Sequence, residues 1–500
     1  MRSKSLVGTI TAILAVVLIP RTQPAAQETT PQHVRYRLVE VGTFGGRNSV
    51  YNVFTRAVKN DGTVVGAANT STPDPYAPAC FDSPDNCFVL HAWRWRKGVL
   101  TDLGVLPGGS SSYTNAINAQ GWIVGQSENG EIDPLSGNPS FLATLWSNGE
   151  IHDLGTLGGS FSFAIAVNAK NFVMGAAETG TIDTSGFAQL IDLGSRAAEW
   201  HAFGWNGGEM FDLGNLGGPG AFPLDMNDVA QIVGISPTTS TPGPFGFAPF
   251  APFLWEKGKM RSLGTLGGTL ASAAAINNRG QVVGDSDVAG DVATHPYLWT
   301  NGEMRDLGTL GGDFATAEWL NDAGDVIGFS FTAGFEALHG FIWRNGVLID
   351  LGTVNGDNGS NAFGLNEKGQ VVGQSWYFNG QEVTQSHAFL WENDGPMVDL
   401  NTLVTNPSDL YLTEANFITE SGLIVARGFL PNGDVHTAIL IPDGSAETPT
   451  GDLARKIPNR PPQRLQGLCT SVPSGAVQSS GRPWIKQDWC GRSRAIPGLR

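Results

Sequence analysis

The chain repeats itself, and the repeat restricts its fold more than any other feature. The stretch from His295 to Gly328 reads H-P-Y-L-W-T-N-G-E-M-R-D-L-G-T-L-G-G-D-F-A-T-A-E-W-L-N-D-A-G-D-V-I-G, and versions of it recur from residue 35 to about residue 444. The glycine that ends D-L-G, or its variants E-V-G and S-L-G, falls at Gly42, Gly104, Gly155, Gly214, Gly264, Gly308 and Gly352, with Asn401 in the eighth place. Successive spacings are 62, 51, 59, 50, 44, 44 and 49. A period of this size marks an array whose units cannot bury their apolar faces without neighbours.

Each unit carries four strand signals. In the fifth they are Thr269 to Asn277, Gln281 to Gly284, His295 to Trp299 and Glu303 to Leu307. Asn118, Asn168, Asn227, Asn277, Asn321 and Asn366 close the first strand, and a Gly three residues later takes the left-handed position of a short hairpin loop. Asn171 and Ala230 replace that Gly in two units, and Lys59 and Thr419 replace the Asn in two others. Trp-x-Asn-Gly at Trp146, Trp299 and Trp343 predicts a second hairpin with a tight primed turn. Glycine at 66 of 500 residues is about twice the average share, as so many turns require.

Four antiparallel strands in about 44 residues, repeated eight times, predict an all-β fold: a single β-propeller of eight four-stranded blades. The eighth unit lacks its fourth strand, and an orphan fourth strand stands at Arg35 to Gly42. Pairing the two closes the ring over residues 35–444. A seven-bladed ring with a stray unit is the alternative.

The flanks differ from the array. Arg2 and Lys4 precede an apolar run from Leu6 to Ile19, then Pro20, Ala25 and Ala26, as in a signal peptide over residues 1–26. The run is short for a membrane span of about 20 residues, and no later segment is apolar enough to span. The expected location is secreted, periplasmic or at the cell surface. Residues 445–500 hold nine Lys or Arg against three acids, are rich in Pro, Gly and Ser, and read as a basic, mostly disordered tail. Cys80 and Cys87 flank a turn-rich loop and predict a disulfide worth about 2.5 kcal/mol in the chain-entropy model; Cys469 and Cys490 are placed to pair likewise. The formal net charge of −16 argues against a nucleic-acid partner.

His201-Ala-Phe203 and His387-Ala-Phe389, each followed by G-W or L-W and then by D-L-G or D-L-N, with G-G and G-x-V-V-G elsewhere in the units, resemble the HAF-repeat family of extracellular bacterial proteins. The resemblance covers nearly everything from 35 to 444. It implies an exported repeat protein and supplies no catalytic residues.

The repeated His stands at His91, His201, His295, His339, His387 and His436. Eleven or twelve residues on stand Asp102, Asp212, Asp306, Asp350 and Asp399; for His436 the matching acid is Glu40 of the closing strand. If Asn301-Gly302 is a hairpin turn, Tyr297 faces Asp306 and His295 is its diagonal neighbour. A pair present in nearly every blade serves the blade, so these His–acid pairs are expected to be structural, joining buried polar groups. The repeated Trp residues are expected in the core.

Function is expected where copies disagree. On the innermost strand Arg56, Asp225, Glu318 and Trp319 break a run of small residues; Asp225 and Glu318 would be the acid pair of a glycan lyase or hydrolase. The loops between second and third strands are long in units one to four and would form a wall carrying Asp74, Tyr76, Phe81, Asp82, Glu128, Asp133, Phe245 and Phe247. The leading expectation is a non-catalytic scaffold that contacts an extracellular glycan or protein through Tyr76, Phe81, Asp82, Glu128, Asp133, Phe245, Phe247 and Trp319. The chain has no C-x-x-C zinc pattern, H-E-x-x-H, G-x-S-x-G or phosphate loop, and no cofactor is expected. Wall acids suit Ca²⁺ in chemistry, but the nearest approach to a calcium ladder is Asp285-Ser-Asp287.

Overall fold

Each copy of the repeat folds into four antiparallel strands joined by the turns that its Asn and Gly residues encode. The computed structural model describes residues 33–444 apart from 79, 82–85, 192–197, 244–245 and 355. The leader over 1–26, the tail over 445–500, Cys469, Cys490, Asp82 and Phe245 lie outside the described residues. Gly280 closes its turn at φ +75°, and Asn171 and Ala230 hold the same left-handed conformation at 64° and 61°. Asn301 and Gly302 both have positive φ, the signature of a type I′ turn. The register follows: Tyr297 faces Asp306 and Trp299 faces Met304.

Eight such sheets form a β-propeller. Their inner strands are Gly45–Val50, Ser112–Ile117, Ser162–Val167, Phe222–Met226, Gly267–Ala271 continued by Ala275–Ile276, Gly311–Leu320, Gly359–Leu365 and Tyr411–Ile418. Blades 5 and 6 also share one parallel bridge, Thr294 to Phe314. The eighth blade takes its outer strand from the N-terminal side: Tyr36–Glu40 runs antiparallel to Val435–Pro442, with Glu40 opposite Ala438. Blade 8 then meets blade 1. Thr437 N–H donates to Ser49 Oγ at 3.1 Å, and Tyr51 Oη–H donates to Asn416 Oδ1 at 2.6 Å.

The turn Asn does more than shape its own hairpin. Its Oδ1 accepts the N–H four residues on, as in Asn277 to Gln281 at 3.0 Å. Its Nδ2 donates to the backbone carbonyl of the equivalent residue in the next blade. The links run Asn118 to Asn168, Asn168 to Asn227, Asn227 to Asn277, Asn277 to Asn321, Asn321 to Asn366 and Asn366 to Thr419. This belt ties blades 2 to 8 on one face.

Each inner strand of blades 2, 3, 4, 6 and 7 carries one β-bulge opposite the V-V-G glycine or next to it. The bulge drives the carbonyl of the inner strand into the neighbouring backbone. A Cβ on Gly125, Gly175, Gly234, Gly328 or Gly373 would fall inside van der Waals contact of Tyr113, Phe163, Phe222, Thr316 or Asn361 O. That close approach is why this position is glycine although its φ is ordinary.

Between blades the repeated Trp residues are buried, Trp205 least so. Arg261, Arg305 and Arg344 stack over Trp299, Trp343 and Trp391 of the following blades at 5.0, 5.1 and 5.8 Å. Cys80 and Cys87 are disulfide-bonded. Among the described residues no helix is long and apolar enough to cross a membrane.

Candidate functional site: the axial cavity

The His–acid pairs are part of the frame. Nδ1–H of His91, His201, His295 and His339 donates to Asp102, Asp212, Asp306 and Asp350 at 2.8, 2.6, 2.8 and 2.9 Å. His436 donates to Glu40 at 2.6 Å across the ring closure. The carboxylate partner requires the Nδ1–H tautomer. In these four pairs the Asp also accepts the N–H of the glycine two residues on, so it caps the turn into the next blade. Burial opposes ionisation of Asp102, Asp212 and Asp350, but the His hydrogen bond, the glycine N–H and the His charge outweigh it and hold these carboxyls low.

Two expectations need correction. The acids of these four pairs are not buried: their side chains are 42–44% exposed, because the fourth strand is the outer edge of each blade. His387 bonds to Asp357 at 2.8 Å and forms no hydrogen bond with Asp399. Asp357 comes from the connection between blades 6 and 7, where its carboxylate also accepts the Ser375 hydroxyl of blade 7 at 2.6 Å. Asp399 instead caps the short 3₁₀ turn Leu400–Leu403 through Asn401 N–H at 2.8 Å.

The wall residues turn inward. Phe81 is buried against Phe141, with ring centroids 5.9 Å apart, and Phe247 is buried beside Phe250. Asp74 accepts the N–H groups of Tyr76 and Phe81, and Asp133 accepts Ser136 N–H at 2.7 Å. Glu128 accepts Ser110 and Ser111 N–H. Burial, with Asp74 beside it, pushes the Glu128 carboxyl up to about 7. Long loops carry backbone N–H groups that no strand satisfies, and these acids satisfy them. Phe81, Asp133 and Phe247 are therefore loop cores, and Glu128, on the strand Ile123–Ile132, anchors the connection at Ser110 and Ser111; none forms a contact surface, and Tyr76 is half-buried.

The variable residues that do reach open space line the propeller axis. A cavity of about 1080 Å³ runs along it, walled in six blades by the inner strand and in blades 1 and 5 by residues that directly follow or interrupt it. One register supplies a residue from every blade: Arg56, Asn115, Ile165, Leu224, Ala274, Glu318, Phe363 and Asn416. Each stands three positions before the turn Asn or its substitute, so a reader aligning the copies on that turn would have found Asn115, Phe363 and Asn416, which the sequence reading passed over. In blades 2, 3, 4, 6, 7 and 8 this is the bulged residue, which the bulge aims away from the sheet.

The four residues singled out on the inner strand separate here. Arg56, Glu318 and Trp319 line the cavity; Asp225 does not. Asp225 is buried and accepts Ile276 N–H at 2.9 Å. Burial pushes its carboxyl up against the pull of Arg56 and the backbone donors. The proposed acid pair does not converge on the cavity. Asp285 is taken by the hydroxyls of Ser272 at 2.6 Å and Thr316 at 3.2 Å. Among the described residues no three His, Cys, Asp or Glu side chains are grouped to hold a metal ion.

The ends of the cavity differ. At the face of the Asn turns it is rimmed by Asp61, Asp228, Asp322, Glu367 and Glu420, with Lys59 the one cation among the rim residues that line it. At the other end it is walled by Leu190, Phe222, Phe250, Phe314 and Leu338.

No known family model matches the chain, and no curated protein matches it. Among solved structures it is similar to the β-propeller domain of the Trilobed protease from Pyrococcus furiosus (8% identity, 68% of this chain and 99% of that one, TM-score 0.40). It is also similar to an acylaminoacyl peptidase of Pyrococcus horikoshii (11% identity, 76% and 59% of the two chains, TM-score 0.39). A puromycin-hydrolyzing peptidase of Mycobacterium tuberculosis is similar as well (12% identity, 83% and 64%, TM-score 0.38). Likeness at this level carries no activity over to this chain.

Proposed function

We propose that this is an exported, non-catalytic binding propeller of the HAF-repeat type that takes its ligand, an extracellular glycan or protein segment, into the axial cavity. The observation that carries the reading is the register above. One position varies in chemistry from Arg to Phe across eight copies of a constant frame, and all eight copies line one cavity. Concave sites with a few polar groups among apolar walls are the usual form of a ligand site. Export is supported by the leader-like start and by the Cys80–Cys87 disulfide, which suits an oxidising compartment.

The test is a glycan and peptide binding panel with the chain as exported, run with and without Ca²⁺, beside the cavity-filling variant Ala274→Trp. A ligand that binds the wild-type chain and loses at least ten-fold affinity to Ala274→Trp supports the reading. Ligands that bind both equally place the site elsewhere. Fractionation of producing cells tests export: a product confined to the cytoplasm rejects it.

A further inference from the structure

We propose that the waist of the axial cavity is a site for a peptide side chain bearing a guanidinium or ammonium group, and that Arg56 fills this site while no ligand is present. The proposal rests on the reading that the cavity binds a ligand, and it names the class.

Arg56 belongs to blade 1, yet its guanidinium carbon lies 5.7 Å from the ring centroid of Trp319 in blade 6, and its charge acts on Asp225 in blade 4. Blades 4 and 6 are each three blades away round the ring, so the side chain crosses the axis. Among the described residues its guanidinium forms no hydrogen bond. It is held by an aromatic face and by charge, interactions worth about 0.5–2 kcal/mol that a second cation can replace. The internal arginine thus reports what the waist prefers: a cation on Trp319, beside Glu318.

The approach to the waist favours the same sign. Five carboxylates and one ammonium rim the open end. Asp228, Asp322, Glu367 and Glu420 accept backbone N–H groups of adjacent turns, as Glu367 does from Asp322 at 2.8 Å, which holds them in place, while Asp61 pairs with Lys59 at 3.3 Å. Lys170, Arg279 and Lys368 stand on the same turns but do not line the cavity. Field lines focus in such a mouth and raise the local concentration of cations.

Two buried polar atoms on the wall point to a ligand with a backbone. Asn361 Oδ1 and Asn416 Nδ2 have no hydrogen-bond partner, although both residues are at least 95% buried and line the cavity. Such groups are costly to leave unpaired. Both atoms are enclosed in the wall; turned to the cavity by side-chain rotation, one acceptor and one donor on neighbouring blades would match the N–H and C=O of a peptide. The apolar end, with Phe222 and Phe314, takes flanking aliphatic side chains.

Three blocked tripeptides test this against the full chain by titration calorimetry: Leu-Arg-Leu, Leu-Gln-Leu and Leu-Glu-Leu, each with acetyl and amide ends. The arginine peptide should bind at least ten-fold tighter than the glutamine peptide, with the glutamate peptide weakest, and the preference should shrink as salt rises. Arg56→Met should tighten the arginine peptide several-fold by removing its competitor, and Glu318→Gln should weaken it; thermal melts confirm that each variant folds. A glutamate peptide that binds best, or an Arg56→Met variant that weakens the arginine peptide, overturns the cation site. Equal binding of all three also overturns it while leaving the binding reading standing. If none binds, the proposal falls, and the glycan arm of the panel decides whether the binding reading falls with it.

Discussion

Replacing Asn277 separates two roles that the turn Asn plays at once. Its Oδ1 accepts the N–H groups of Arg279 and Gln281 within its own turn, at 3.1 and 3.0 Å. Its Nδ2 donates to Asn321 O of the next blade at 3.0 Å and to Gln281 Oε1 at 2.8 Å. The residue is 3% exposed, so groups left without it have little water to turn to. Asn277→Ala removes all four bonds and should cost about 2–4 kcal/mol. Asn277→Thr keeps a turn acceptor, as Thr419 does for Leu423 N–H at 3.0 Å, and loses only the donors; it should cost about 1–2 kcal/mol. Asn277→Asp is the decisive variant. It keeps the turn geometry but sets a carboxylate oxygen against the Asn321 carbonyl, so it should be at least as damaging as Asn277→Thr. Urea denaturation midpoints of the four proteins give the order. An Asn277→Asp protein as stable as the wild type would refute the belt, since that variant keeps the turn acceptor and loses the donations to Asn321 O and Gln281 Oε1.

Gly328→Ala should destabilise by roughly 1–3 kcal/mol, because its Cβ would meet the Thr316 carbonyl and neither backbone can yield; an unchanged urea midpoint would contradict the bulge argument. Glu128 has a raised carboxyl, so the folded state binds its proton more tightly than the unfolded chain. Its stabilising effect is complete below the unfolded value of about 4.3 and is lost as pH rises through about 7. Glu128→Gln should therefore flatten the pH dependence of stability between those limits, by up to ~3 kcal/mol, and a profile parallel to wild type would exclude the assignment. Asp102, Asp212 and Asp350 have the opposite sign: their contribution is present above the unfolded carboxylate value and fades as acid protonates them. His387 loses charge stability to burial, yet its hydrogen bond to Asp357 and the nearby Asp399 charge raise its titration. Asp357→Asn should lower that titration as followed by NMR, and a larger drop with Asp399→Asn would restore the pairing expected from the repeat spacing.

Much of the frame is legible in the chain because its signals are local. An Asn and a Gly three residues apart specify a turn wherever they stand, and Tyr297 opposite Asp306 follows from counting back from Asn301-Gly302. The His–Asp pairs follow from the same count. His387 escaped it because its partner, Asp357, is 30 residues away on the connection between blades 6 and 7. The wall departs from its expected exposure for a related reason. Acids and phenylalanines in an irregular loop look alike from the sequence whether they face water or satisfy the loop itself; only the fold shows that Asp133 is spent on Ser136 and Phe81 on Phe141.

What the sequence determined by itself is therefore the repeat, its strands and turns, and the strand available to close the ring, since each depends on near neighbours and on period; the sheet pairings decided for eight blades over the seven-bladed alternative. What only the tertiary structure decided is which variable residues meet. Arg56 and Trp319 are 263 positions apart and become neighbours because eight blades share one axis; in six other positions of the lining register, Glu318 among them, a bulge aims the residue away from its sheet, and no residue letter records that direction. Ring closure turns a linear list of exceptions into the wall of one cavity.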